Sequence, residues 1–305
     1  MSSTGAMGYA MRSPVVVGVD GSDSALRAVR WAARYAARHG STLRLVHVYL
    51  APISLPGGVF DQSVVRRAMR VQGRKLLRDA RMAAAETVPE HRLAVTLQCA
   101  PVTPALVEES SAAALVVLGT RGLGGFSGLL LGSTGTSLAG RTHCPLVVVR
   151  GDGTAPERGP VVVGVDGTQT SESAIAFAFA EAAARDRHLV AVHAWAEPVV
   201  DTVLLGREVS SPDFEPAQQT AYEVLAERLA GWQEKYPEVR VTREVVRDHP
   251  WRALLRHAAA AALVVVGTRG RGGFRGLVLG STSQRLLHHA PCPVAVVRSE
   301  VDEQR

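Results

Sequence analysis

Two stretches of this chain combine glycine, hydroxyl side chains and a helix start in a pattern suited to holding an anion. The first is Gly119-Thr120-Arg121-Gly122, nine residues from Leu123 to Leu131, then Gly132-Ser133-Thr134. The second is Gly267-Thr268-Arg269-Gly270, nine residues from Arg271 to Leu279, then Gly280-Ser281-Thr282. Each follows an apolar run, Leu115 to Leu118 or Leu263 to Val266, and each precedes a helix-like segment. Main-chain N–H groups at such a helix entrance point at negative charge, and Ser133, Thr134, Ser281 and Thr282 add hydroxyls. Phosphate is the natural anion for this arrangement, and a nucleotide the natural ligand. No lysine stands among the glycines or before Ser133, so the pattern is not a Walker loop.

A second pair of candidates closes the opening runs of each half. Val15-Val16-Val17-Gly18-Val19 ends in Asp20-Gly21-Ser22, and Val161-Val162-Val163-Gly164-Val165 ends in Asp166-Gly167-Thr168. In a parallel sheet, ligands bind beyond the strand C-terminal ends, at the point where strand order reverses. Asp20 and Gly119 would share one crevice there if the first and fourth strands are neighbours. The Asp20 carboxylate could meet a ribose or a hydrated Mg²⁺ beside phosphates, or could cap the first helix through Ser22 or Ser24. Ser133 could likewise be a helix cap, and Gly124, Gly125 and Gly128 could serve only to shape a turn. Arg121 and Arg269 could neutralise phosphate or sit on an exposed turn. His47 and His193 fall inside apolar runs at matching positions, which fits satisfied core or rim histidines better than catalysts.

The elements that must position these residues read out in order. Apolar runs at 15–19, 43–49, 93–99, 115–118 and 146–149 predict five strands. Helices are expected near 24–38, 63–87, 103–113 and 133–141, with Thr103-Pro104 as a cap and a first-turn proline. The same series follows from Val161: strands at 161–165, 189–194, 239–246, 263–266 and 294–297, and helices at 171–187, 215–235 and 281–289. His249-Pro250 is expected to correspond to Thr103-Pro104. The repeat is direct, because 22 of 36 positions are identical between Leu115–Arg150 and Leu263–Arg298. Alternating strands and helices with near-continuous valine runs predict an α/β fold: two tandem domains, each a parallel sheet with helices on both faces. The expected division is a leader at 1–13, a first domain at 14–150, a linker at 151–160, a second domain at 161–298 and a tail at 299–305.

Composition narrows the function classes. The chain has 305 residues, 47% hydrophobic and 20% charged, which fits globular domains rather than disorder. No apolar run approaches the roughly 20 residues of a membrane-spanning helix, so membrane insertion is not expected. The net charge of +6 could attract nucleic acid or be solvated surface. Aromatics are 5% and no basic run is interleaved with stacking rings, so nucleic acid is not expected as a partner. Cys99, Cys144 and Cys292 show no metal-ligand spacing. An odd thiol count with no signal segment points to a cytoplasmic location, with Cys144 and Cys292 as small buried hydrophobes.

These motifs together resemble a tandem universal stress protein. The family pattern G-2x-G-9x-G-[ST] is met by Gly119, Gly122, Gly132 and Ser133, and again by Gly267, Gly270, Gly280 and Ser281. The resemblance implies five-stranded sheets of order 3-2-1-4-5 and, in the ATP-binding branch, ATP at the glycine loop with Mg²⁺ as a possible companion. By position it implies Asp20 and Asp166 near ribose and phosphates, and Val48 and Ala194 meeting adenine through their backbones. The loop glycines with Ser133, Thr134, Ser281 and Thr282 would receive phosphate. It further implies pairing of the last strands, Val147–Val149 beside Ala295–Val297, antiparallel and within one chain. A regulatory protein binding ATP and an unidentified protein partner is the expected function, with a homodimer compatible. The alternatives are a slow Mg-dependent ATPase, for which no base is evident, and a scaffold with a vestigial nucleotide site. Catalysis is expected to be weak ATP hydrolysis at most.

Overall fold

A computed structural model describes residues 13–50, 62–120, 132–150, 158–195, 215–270 and 279–299. In the first half the strands are β1 (Val15–Gly18), β2 (Leu43–Tyr49), β3 (Leu93–Cys99), β4 (Leu115–Gly119) and β5 (Leu146–Val149). The helices between them are α1 (Asp23–His39), α2 (Gln62–Ala85), α3 (Val102–Ser110) and α4 (Ser133–Leu138). The second half repeats them as β6 (Val161–Gly164), β7 (Leu189–Trp195), β8 (Val241–Arg247), β9 (Leu263–Gly267) and β10 (Val294–Val297). Its helices are α5 (Glu172–Arg185), α6 (Glu215–Lys235), α7 (Pro250–Ala258) and α8 (Ser281–His289).

All ten strands form one sheet in the order β3-β2-β1-β4-β5-β10-β9-β6-β7-β8. Each half therefore has the 3-2-1-4-5 order, with parallel neighbours throughout. The valine runs are continuous because both faces of the sheet are covered. Val15 and Val17 face one layer with α1, α2, α5 and α6. Val16 faces the other, with Leu106 of α3, Leu138 of α4, Leu254 of α7 and Leu286 of α8.

The halves meet where β5 and β10 pair antiparallel, with Val147 opposite Ala295 and Val148 opposite Val294. Both strands are wholly buried, so this pairing removes two apolar sheet edges at once. Side chains reinforce the seam on either face. Arg150 donates from Nε to Ala290 O and from Nη1 to Leu287 O, both at 2.6 Å, satisfying carbonyls at the end of α8. On the other face His39 of α1 and Arg185 of α5 both bind Glu181, at 2.7 and 2.9 Å. Burial alone would raise the Glu181 carboxyl, but the His39 hydrogen bond and the Arg185 charge outweigh it and hold it below the usual carboxylate range.

Two local expectations are corrected. Helix α3 starts at Val102 with Pro101 as its cap residue, so Thr103-Pro104 lies inside the first turn. The counterpart of His249-Pro250 is Pro101-Val102, because the spacing of the halves here is that of Gly119 and Gly267. His249 is the cap residue of α7 and Pro250 its first helical residue, where a missing N–H costs nothing.

Candidate nucleotide site

The turn after β1 is built by one carboxylate oxygen. Asp20 Oδ1 accepts from Ser22 N at 3.0 Å and from Ser22 Oγ at 2.7 Å, and Ser22 Oγ in turn accepts from Ala25 N at 3.1 Å. Ser22 is thus the N-cap of α1, and Asp20 orients it. Asp166 Oδ1 repeats the arrangement, accepting from Thr168 N at 2.8 Å and Thr168 Oγ1 at 2.7 Å. Gly21 and Gly167 supply the left-handed backbone this turn needs, with φ of 89° and 78°. The turn uses Oδ1 of each aspartate. The other oxygen of Asp166, Oδ2, is buried and makes no hydrogen bond among the described residues.

The glycine loops are closed at their bases. Gly132 N donates to Thr120 O at 3.0 Å, and Gly280 N donates to Thr268 O at 2.7 Å. Thr120 and Gly132, and likewise Thr268 and Gly280, are thereby held together beside the strand ends. Gly132 and Gly280 take extended backbone at the cap positions of α4 and α8. Ser133 and Ser281 are the first helical residues, followed by Thr134 and Thr282, both half-buried. Neither serine is the cap residue, so the amides of the first turn are not closed off by a hydroxyl at that position.

The β1 and β4 ends converge in each half. An added Cβ on Gly119 would lie 2.5 Å from Ser24 Oγ and 2.6 Å from Ser24 C, so this glycine admits the first turn of α1. Ser24 Oγ and Thr120 Oγ1 lie 3.2 Å apart, bridging the two turns. In the second half, an added Cβ on Gly270 would lie 3.1 Å from Asp166 Oδ2, which places the glycine loop directly against the aspartate. Gly267 packs near Thr170 O, and its own carbonyl accepts from Ser283 Oγ at 2.6 Å. None of Gly119, Gly267 and Gly270 has positive φ, so what they supply is close approach. Gly122, Arg121, Gly124, Gly125 and Gly128 lie outside the described residues.

Val48 in β2 and Ala194 in β7 sit on the far side of the aspartate turns, both half-buried. The histidines one residue earlier link the strands: His47 Nδ1 lies 2.6 Å from Val19 O and His193 Nδ1 lies 2.7 Å from Val165 O. Both are partnered, and His193 is buried while His47 is partly exposed. Ser24, Thr120 and Ser283 were missed in the sequence. The only signal for them was a hydroxyl within two positions of a motif residue. Among the described residues, no three His, Cys, Asp or Glu side chains group to hold a metal ion. A separate cleft of about 360 Å³ lies on the α6 side, lined by Gln169, Glu172, Glu227, Arg228, Gly231 and Trp232. Its acidic lining does not suit an anion, and Arg228 Nε ties it to the aspartate turn by donating to Gly167 O at 3.1 Å.

Comparison with known proteins agrees with this duplicated geometry. The universal stress protein family matches residues 11–150 and again 157–298. A universal stress protein of Mycolicibacterium smegmatis is 43% identical over 291 residues, covering 93% of this chain and 96% of its own. The crystal structure of a universal stress protein from Archaeoglobus fulgidus shares the fold, with a TM-score of 0.68 at 16% identity, covering 93% of this chain and 98% of its own. The chain belongs to the universal stress protein family, with two copies of the family's domain in tandem.

Proposed function

We propose that this chain is an ATP-binding regulatory protein of the stress response, with one nucleotide site in each half. The observation that carries the reading is Asp166 Oδ2, a buried carboxylate oxygen left unpaired where the glycine loop meets the aspartate turn. Burying such an acceptor without a partner costs about 1–3 kcal/mol, which a hydroxyl donor from a ribose would recover. Asp20 and Asp166 would take the ribose and phosphate side. Backbone groups at Val48 and Ala194 would meet the base. The amides around Gly132-Ser133-Thr134 and Gly280-Ser281-Thr282 would take phosphate, with Gly119, Gly122, Gly267 and Gly270 keeping the approach open. A triphosphate would bring Mg²⁺ with it, held by the phosphates beside the aspartate. With no base named for water attack, occupancy itself would be the signal, altering the loop surface offered to a protein partner.

Equilibrium dialysis of the intact chain against ATP and Mg²⁺ tests this. Two ATP per chain are expected, falling to one when Asp166→Ala removes the second site. No retention at millimolar ATP would refute the proposal, and turnover that dies with Asp166→Ala would replace it with an ATPase.

A further inference from the structure

The duplication supplies an internal control for the surface of α2. Helices α2 and α6 hold equivalent places and pack the same way, through Leu77, Ala80 and Ala84 in one and Ala221, Leu225 and Leu229 in the other. The fold therefore asks only for their buried faces. Their outer faces differ in sign. Helix α2 carries seven basic residues and one acid, Asp79, whereas α6 carries four glutamates against Arg228 and Lys235. Arg66, Arg67, Arg70, Arg74, Lys75 and Arg78 are all exposed, and none pairs with an acid among the described residues. Among the described residues, Arg81 is the one cation of this helix that pairs with an acid, Glu90. The net charge of α2 equals the +6 of the whole chain.

An apolar ridge runs between these cations. Val64 and Val71 are each 62% exposed and Met82 is 65% exposed, against a helix otherwise buried through small residues. Their spacings of seven and eleven residues put them on one line along the helix, opposite Leu77 and Ala80. Nothing in the packing of the fold uses this line. Unpaired cations flanking exposed aliphatic side chains match a surface that is anionic at its boundary and apolar just beneath.

We propose that the outer face of α2 is a peripheral docking surface for an anionic phospholipid bilayer. Arg67, Arg74, Lys75 and Arg78 would lie against headgroup phosphates, and Val64, Val71 and Met82 would enter the acyl boundary. Nucleic acid would use the cations but has no place for the ridge. A second copy of this chain would bring its own +6 against this face.

Co-sedimentation of the intact protein with vesicles tests the proposal. It should pellet with equimolar phosphatidylglycerol and phosphatidylcholine, stay in solution with phosphatidylcholine alone, and release as salt is raised. The triple variant Arg67→Gln, Arg74→Gln, Arg78→Gln should weaken binding on the order of 100-fold, at roughly five-fold per cation. A second triple variant, Val64→Ser, Val71→Ser, Met82→Ser, keeps every charge and should also weaken it. All six positions are exposed, and circular dichroism should show both variants folded. Failure to pellet with anionic vesicles would overturn the proposal, as would an unaltered affinity in either folded variant. Preference for a DNA duplex over the vesicles, or self-association that excludes them, would overturn it equally by assigning the face another occupant.

Discussion

Gly119 tests whether the first motif glycine is there for packing. An alanine Cβ at this position would stand 2.5 Å from Ser24 Oγ and 2.6 Å from both Ser24 C and Ser24 O. The hydroxyl can rotate away, but the backbone carbon and oxygen belong to the first turn of α1, itself pinned by Ser22 and Asp20. Strand β4 and α1 must therefore separate by about half an ångström, and both are in the packed core. Overpacking of this kind costs about 1–3 kcal/mol. Gly132 is the control: among the described residues its Cβ would meet nothing nearer than Thr120 O at 3.8 Å, and its φ of −67° suits any residue. Gly132→Ala should cost about 0.5–1 kcal/mol, since alanine is a poorer helix cap residue than glycine. Urea unfolding followed by circular dichroism would measure both. Equal stabilities for the two variants, or a larger loss for Gly132→Ala, would refute the packing argument and return Gly119 to a role in the loop alone.

The buried seam gives a second prediction: Glu181→Ala should destabilise the chain by about 3–5 kcal/mol in the same unfolding assay, because Arg185 is left buried without its carboxylate. The folded Glu181 carboxyl lies below its unfolded value, so its contribution is complete above the unfolded value and is lost as pH falls through the folded one. Wild type should therefore lose stability through the acid range more steeply than Glu181→Gln. Burial pushes the Cys144 and Cys292 thiols up to about 12, while Cys99 is exposed. A thiol reagent at neutral pH should titrate one cysteine in the native chain and all three in denaturant; rapid reaction of all three in the native chain would contradict this. Ser22→Ala removes the α1 cap and should cost about 1 kcal/mol in urea unfolding, with no change expected if Asp20 were the cap instead.

Much of the architecture was legible because it rests on local periodicity. Leu43–Tyr49, Leu93–Cys99, Leu146–Val149 and Ser281–His289 have the boundaries their patterns imply. Strand order and the antiparallel seam followed from the family resemblance, but the paired residues are Leu146–Val148 with Val294–Val296, one residue off the expected Val147–Val149 with Ala295–Val297 on each strand. Helix starts were less legible. Thr103-Pro104 has the chemistry of a cap, yet the chain enters the helix two residues earlier, because Ala105 and Leu106 must face the sheet.

The site divides along the same line. Residue types and spacing alone identified the two aspartates and two glycine loops, because a turn needing positive φ and a clamped loop leave local marks. Tertiary structure decided which partner each one meets. Gly119 is spaced by the backbone of Ser24, and Gly270 by the carboxylate of Asp166. Both contacts join segments roughly 100 residues apart, and no local pattern encodes such a distance. For the same reason only the fold could reveal that one oxygen of Asp166 is consumed by its own turn and the other is left without a donor.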